Sequence, residues 1–503
     1  LIYVKFGRDG DQCTGTDASV HCGQNVADRG PIAARMTTMK VDDQPIDFSR
    51  VAEVLRRHAG HGPRYTSYPP ATAWSDAVGP VDLRGALQRS CTHTPSPMSV
   101  YVHVPFCPSQ CYFCACNVLI TPRTDLANAY LDRVEHEVEL LAPHLPQTAT
   151  TQVHWGGGSP SYLTPEQMRR LHGILARRFA IQPDAEVAIE ADPRITSQAH
   201  LETLRDLGFN RLSMGVQDFD AAVQKTIHRE QSAELTANFM QAARDLGFQS
   251  LNVDLIYGLP GQTLESFGRT MAQVVEMTPD RIAVYGYAHV PWMKPFQRRF
   301  TPESLPDAPQ RFSLFMLALE RLTEAGYEYI GMDHFARPQD ELALARKDGT
   351  LQRNFMGYTT QGGTDLVGVG LSSISFVDGL YAQNERKLNP YYGTVDAGEL
   401  PTVRGWQLTQ DDRVRADVIQ ALMCEGVVDK ARIGARYGLD FDTYFADGLA
   451  RLAPLVQDGL LEVDADRLHL TGLGRILVRP VAMCFDAWLP AENTNGQRFS
   501  ATV

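Results

Sequence analysis

The sequence predicts an α/β protein: a partial (β/α)6 barrel resembling a TIM barrel, with an N-terminal arm before it and an α-rich, winged-helix-like domain after it. Three observations carry this. From about residue 98, short apolar runs alternate with long amphipathic ones. A tripeptide built on glycine recurs just ahead of strand-like segments. After residue 300 the alternation gives way to a mostly helical pattern ending in a short strand pair.

Taken in order, residues 1–35 show neither helical nor strand period, and 1–38 read as an extension that does not belong to the fold, with a disordered native tail as the alternative. Residues 39–90 form the arm, expected to contact substrate. Residues 91–345 form the barrel. Its strands are expected at Met98–Val104, Thr151–Trp155, Val187–Glu190, Arg211–Gly215, Leu251–Tyr257 and Ile282–Tyr287, short and apolar as buried parallel strands are. Helices are expected at Leu126–Leu141, Pro165–Phe179, Ala233–Asp245 and Thr263–Met277. Thr164-Pro-Glu-Gln167 has a Thr cap, Pro at the first helical position and Gln three residues on, a capping-box start. Leu207-Gly208-Phe209, Leu246-Gly247-Phe248 and Ala325-Gly326-Tyr327 each end a helix on a left-handed glycine and lead into a strand. Repeated β-then-α units imply right-handed crossovers and a parallel sheet. Residues 346–503 are assigned to the C-terminal domain, with helices Asp411–Glu425 and Tyr444–Asp458 and strands at 461–464 and 467–470. Its expected role is a lid or buttress rather than DNA binding.

In parallel α/β folds the chemistry sits at the carboxyl ends of the strands. There this chain places a cysteine cluster, Gly156-Gly-Gly-Ser159, Glu190, Gln217, Asp254 and Ala288-His289. Composition narrows the function. A formal net charge of -12 over 503 residues disfavours a nucleic-acid partner, which needs a basic face. No apolar run approaches the roughly 20 residues of a membrane helix.

Four of nine cysteines fall between 107 and 116. Such clustering in a long chain suits a metal site in a reducing cytoplasm better than a disulfide framework. The spacing is C-x3-C-x2-C within one loop (Cys107, Cys111, Cys114), whereas zinc sites usually use two separated C-x2-C knuckles. Three thiolates on a [4Fe–4S] cube leave one iron open. The amino and carboxylate groups of S-adenosylmethionine can chelate that iron, and an electron passed into the sulfonium generates a radical. A mononuclear zinc site using Cys116 as a fourth ligand is the alternative. Glycines 156–158 would let the backbone approach a cofactor closely.

Several segments together resemble the oxygen-independent coproporphyrinogen III oxidases, radical S-adenosylmethionine enzymes of heme synthesis. They are Gly62-Pro-Arg-Tyr-Thr-Ser-Tyr-Pro69, Tyr101-Val-His-Val-Pro-Phe-Cys107, His154-Trp-Gly-Gly-Gly-Ser-Pro160, Asn210-Arg-Leu-Ser-Met-Gly-Val-Gln-Asp218, Asp254-Leu-Ile-Tyr-Gly-Leu-Pro260, Gly331-Met-Asp-His-Phe-Ala-Arg337, Tyr358-Thr-Thr-Gln361 and Met483-Cys-Phe-Asp486. The likeness runs from about Asp47 to about Leu489. It implies oxidative decarboxylation of two propionates of coproporphyrinogen III to vinyls, giving protoporphyrinogen IX. It also implies a [4Fe–4S] cluster on Cys107, Cys111 and Cys114, and two S-adenosylmethionine molecules per active site. Tyr101, Gly157, Glu190 and Ile374 would contact the cluster-bound molecule. Phe113, Gly158, Ser159, Gln217, Arg229, Asp254 and Ala288 would contact the second. Ser159 stands where the family usually has Thr and keeps the hydroxyl. Cys116 fits the family without being an iron ligand.

The expected partners are the substrate and an unidentified low-potential electron donor, with no nucleic acid, no membrane and a monomeric, cytoplasmic protein. Arg64, Arg337 and Arg353 are candidates for the propionates. The competing reading is a heme-binding chaperone of the same superfamily. Such relatives generally lack the Arg-Tyr-Thr-Ser-Tyr arm and the cysteine at position 116, and this chain has both.

Overall fold

Six strands begin the sheet, each where the sequence runs apolar. They are β1 (Met98–Val104), β2 (Ala149–Gly157), β3 (Ala180–Ala191), β4 (Arg211–Gln217), β5 (Ser250–Tyr257) and β6 (Arg281–Gly286) in a computed structural model, which describes residues 40–41, 44–46, 48–58, 60–92 and 96–489. They lie side by side in sequence order, all parallel. β1 is buried along its whole length, as a strand covered on both faces must be. The expected extension at 1–38 lies outside the described residues.

The crossovers are α1 (Leu126–Leu141), α2 (Pro165–Ala176), α3 (Gln198–Asp206), α4 (Ala233–Asp245), α5 (Leu264–Met277) and α6 (Ala308–Glu324). Apolar spacing sets the face each one buries: α5 sinks Phe267, Thr270, Met271 and Val274, positions i, i+3, i+4 and i+7. Thr164 caps α2 through the expected capping box with Gln167. Gly208, Gly247 and Gly326 adopt φ of 89°, 82° and 83°, the left-handed conformation that stops each helix.

The sheet does not end with these six. β7 (Glu328–Gly331) and β8 (His334–Ala336) form a hairpin, and β8 pairs antiparallel with β6. At the opposite edge β9 (Asp365–Val369) joins β1 in parallel, followed by antiparallel β10 (Ile374–Val377), β11 (Leu380–Asn384) and β12 (Thr402–Gln407). The result is one sheet of twelve strands in the order 7-8-6-5-4-3-2-1-9-10-11-12. Residues 346–407, grouped above with the C-terminal domain, therefore contribute four strands to the barrel sheet. Local pattern could not show this, because β9 finds β1 across more than 250 residues of chain.

The helical layer starts at α7 (Gln410–Cys424), followed by α8 (Lys430–Tyr437) and α9 (Ala446–Gln457). The expected strand pair gains a third member: β13 (Val427–Asp429), β14 (Leu461–Val463) and β15 (Arg467–Leu470) form a sheet with β15 in the middle. Buried Arg475 donates to Ile330 O (3.0 Å), tying this layer to β7. No described helix is long and apolar enough to cross a membrane.

Candidate active site

The carboxyl ends of β1–β6 open onto a cavity of about 460 Å³, within the range of small-molecule sites. A smaller cavity of about 80 Å³ adjoins it. The two share Ala115, Cys116, Gly157, Glu190, Phe355 and Met356.

The cysteine loop follows β1. Gly158 N donates to Val104 O and Ser159 N to Phe106 O, each at 2.9 Å, so the end of β2 holds the start of the loop. The three glycines have reasons inside the protein. A Cβ at Gly157, whose φ is 115°, would meet the His103 ring at 2.5 Å; one at Gly158 would meet Pro105 and Phe106 backbone at 2.7 Å. One at Gly156 would meet Glu190 Oε1 at 2.8 Å. Their smallness is thus needed by close strand-end packing, where the sequence suggested close approach to a cofactor.

Cys107, Cys111, Cys114 and Cys116 are free thiols, all half-buried on the cavity wall. Burial, then the neighbouring Cys111, pushes the Cys107 thiol up to about 12. A thiol so placed stays protonated until a metal ligates it. Arg194 Nη2 and Arg229 Nη1 each lie 3.8 Å from Cys111 Sγ. Both guanidinium groups also reach Asp192, at 2.7 and 3.4 Å. Burial alone would raise the Asp192 carboxyl, but Arg229 and then Arg194 hold it low. These cations can offset the negative charge of thiolates bound to iron and sulfide, so the donor set fits an iron–sulfur cluster. Among the described residues no three His, Cys, Asp or Glu side chains converge on a point where a single metal ion could be held.

Around this loop the strand ends present polar groups. Glu190 Oε2 accepts from Gly157 N (3.0 Å), and Oε1 lies 3.5 Å from His154 Nε2. Burial works against the charged form, yet His154 and the Gly157 N–H keep the Glu190 carboxyl below its ordinary value. Tyr101 stacks on His154 with centroids 5.9 Å apart, and its hydroxyl lies 3.2 Å from His103 Nδ1. Gln217 sits on a bulge of β4 with φ 70°, which re-aims its side chain into the cavity. Arg229 donates to Gly215 O at 2.6 Å, while its buried Nε has no protein partner. Asp254 accepts from Asn252 Nδ2 (2.8 Å) and Ser213 Oγ (3.2 Å), and burial raises its carboxyl to about 7. Gln297 ties the far wall, donating to Phe113 O (2.9 Å) and Ala288 O (3.3 Å).

Most of the predicted residues separate by cavity. Tyr101 and Ile374 line only the small one, and Gly157 and Glu190 border both. Phe113, Gly158, Ser159, Gln217, Arg229, Asp254 and Ala288 line the large one. Arg64, Tyr65, Thr66 and Ser67 of the arm also line the large cavity. The arm is held from the chain end: Tyr65 Oη donates to Asp486 Oδ2 (3.0 Å), Ala487 N to Tyr68 Oη (3.0 Å) and Arg479 Nε to Pro63 O (3.0 Å).

Of the three arginines suggested for propionates, Arg64 and Arg353 line the cavity. Arg337 does not: its Nε donates to Pro279 O (3.3 Å), ahead of β6 at the other end of the strands. The sequence reading overlooked Arg194, His103, His154 and Gln297. The two histidines lie two residues from Tyr101 and Gly156, so proximity to the strand ends could have found them; Arg194 lies four residues past Glu190. Gln297 sits in a short turn with no pattern to mark it.

Residues 101–274 match the family model of the Radical SAM superfamily, and residues 408–477 that of the HemN C-terminal domain. The oxygen-independent coproporphyrinogen III oxidase of Salmonella typhimurium is 44% identical over 465 residues, spanning 92% of this chain and all of that protein. That of Escherichia coli K12 is 45% identical over 460 residues, 92% and 99% of the two chains. The solved Escherichia coli coproporphyrinogen III oxidase, HemN, described as a radical SAM enzyme, superposes with TM-score 0.82 at 46% identity, covering 85% of this chain and 98% of that one.

Proposed function

The chain belongs to the oxygen-independent coproporphyrinogen III oxidases, and from that membership we propose that it converts coproporphyrinogen III to protoporphyrinogen IX without oxygen. It is a radical S-adenosylmethionine oxidoreductase that uses a [4Fe–4S] cluster. Each of two propionates gives up one hydrogen atom from its β-carbon, carbon dioxide and one electron, and becomes a vinyl. Bound in this site, the cluster and S-adenosylmethionine supply the 5′-deoxyadenosyl radical that takes the hydrogen atom.

Cys107, Cys111 and Cys114 hold the cluster, with Arg194 and Arg229 close to Cys111. Glu190 and Tyr101, beside Gly157 and Ile374, offer a carboxylate and a hydroxyl to the part of the cofactor that reaches the small cavity. Arg229, with its unpartnered Nε, meets a carboxylate in the large cavity, and Gln217, Asp254 and Ser159 offer hydrogen bonds there. The single observation behind a second S-adenosylmethionine is that seven of the eleven residues line only the large cavity, while Tyr101 and Ile374 line only the small one and Gly157 and Glu190 border both. The arm over the large cavity supports a catalyst over a tetrapyrrole carrier, because it brings Arg64 to Ser67 onto the substrate's side of the site. Free thiols at the site suit a reducing cytoplasm, with an electron donor of low potential as partner and the chain acting as a monomer.

The test is anaerobic turnover of the reconstituted protein with coproporphyrinogen III, S-adenosylmethionine and a reductant. Protoporphyrinogen IX is expected, with equilibrium binding giving two S-adenosylmethionine per chain. Heme binding without conversion would sink the assignment.

A further inference from the structure

The large cavity has a cationic wall that the cofactor residues leave unused. Arg353 lies in the hairpin formed by Gln352–Asn354 and Gly357–Thr359, directly opposite Tyr358. Its guanidinium rests over the Tyr358 ring, 4.7 Å from the centroid. Nε donates to Arg64 O of the arm (3.4 Å), and Gln420 Nε2 holds the Arg353 carbonyl (3.3 Å). The residue is only 7% exposed, yet Nη1 has no hydrogen-bond partner, and among the described residues no carboxylate pairs with it. Arg64 differs, since Asp333 already answers its charge. His334, whose Nδ1 is also buried without a partner, lines the same wall.

A buried guanidinium without a counter-charge is costly unless a ligand supplies one. The fork geometry of arginine suits a carboxylate. We propose that Arg353 anchors one of the substrate's propionates that does not react, and so sets which propionates reach the cofactor. This rests on the reading of function above. The hairpin explains how one anchor can govern reach: Phe355 and Met356, at its turn, line both cavities. A carboxylate held at Arg353 is therefore held on the same short hairpin that borders both cavities.

The test compares wild-type holoenzyme with Arg353→Gln and Arg353→Lys. Binding of coproporphyrin III, the stable oxidised form of the substrate, is followed by its fluorescence. The glutamine variant is expected to bind about tenfold more weakly, and the lysine variant about threefold, with KM rising to match. Iron content and 5′-deoxyadenosine formation without tetrapyrrole should stay at wild-type levels, which a general structural defect would not allow. Unchanged affinity and KM in Arg353→Gln overturn the anchor. Should that variant lose its iron, Arg353→Lys decides in the same way, weaker binding with iron retained supporting the anchor and unchanged binding overturning it. A wild-type protein that neither binds coproporphyrin III nor converts coproporphyrinogen III overturns the reading of function itself, and the anchor with it.

Discussion

The two ends of the same strands treat charge in opposite ways. At the amino ends, Arg211 at the start of β4 meets Glu186 at 3.1 Å and also reaches Glu341. Arg281 at the start of β6 meets Asp340 at 2.8 Å. At the carboxyl ends, Arg194 and Arg229 share the single carboxylate of Asp192, Arg353 pairs with no carboxylate among the described residues, and burial raises the Asp254 carboxyl to about 7. The first end gives each of these arginines its own carboxylate. The second leaves a cation short of one. Conservative chemistry at the first end concerns stability, and at the second, ligands.

The sharpest way to break this comparison is at the cysteines. Replacing Cys107, Cys111 or Cys114 by Ser is expected to abolish iron and sulfide retention and all product formation, measured after anaerobic reconstitution. Cys116→Ser should retain the iron; losing it would move Cys116 into the ligand set. Next, Glu190→Gln removes a charge that accepts from Gly157 N. Charged hydrogen bonds contribute about 1.5–3 kcal/mol, so 5′-deoxyadenosine formation should fall about 10- to 100-fold.

Asp254 gives a pH test. Its folded value, about 7, lies above the ordinary carboxyl value, so between those limits the folded state binds the extra proton. Ionisation of Asp254 therefore costs stability progressively as pH rises toward and through 7. Asp254→Asn removes that cost. Relative to wild type, the variant should gain about 1–3 kcal/mol between pH 5 and pH 8 in denaturant unfolding. A constant difference across that range would contradict the burial of this carboxyl.

The amino ends should respond differently. Asp340 pairs with Arg281 and also caps the helix at Glu341–Lys347. Asp340→Ala should lower unfolding stability by about 1–2 kcal/mol while leaving 5′-deoxyadenosine formed per iron unchanged. The smallest effect is expected at Arg337→Gln, which should leave coproporphyrin III affinity within about twofold of wild type.

Much of the site was legible because parallel α/β units carry their polar residues at predictable places. Glu190, Gln217 and Asp254 could be assigned to one rim from strand ends alone. The cysteine spacing marked the loop that lines the cavity wall. What stayed hidden depended on distant chain. β9 pairs with β1 only in the folded sheet, so residues 365–407 looked detached from the barrel. Arg337 and Arg353 are equivalent as letters, and only the fold sends one ahead of β6 and the other into the cavity. The glycines at 156–158 were read as room for a cofactor, whereas the atoms that crowd them within the protein are His103, Glu190 and the Pro105–Phe106 backbone.

The clasp between the arm and the chain end has a consequence in time. The cysteine loop, β1 and β2 leave the ribosome early and adjoin in sequence. The arm leaves still earlier, but Asp486 and Arg479, which hold Tyr65 and Pro63, follow more than 400 residues later. Synthesis at about 5–20 residues per second separates the two by some tens of seconds. During nascent-chain growth the cysteine loop therefore exists without the arm fastened over the cavity.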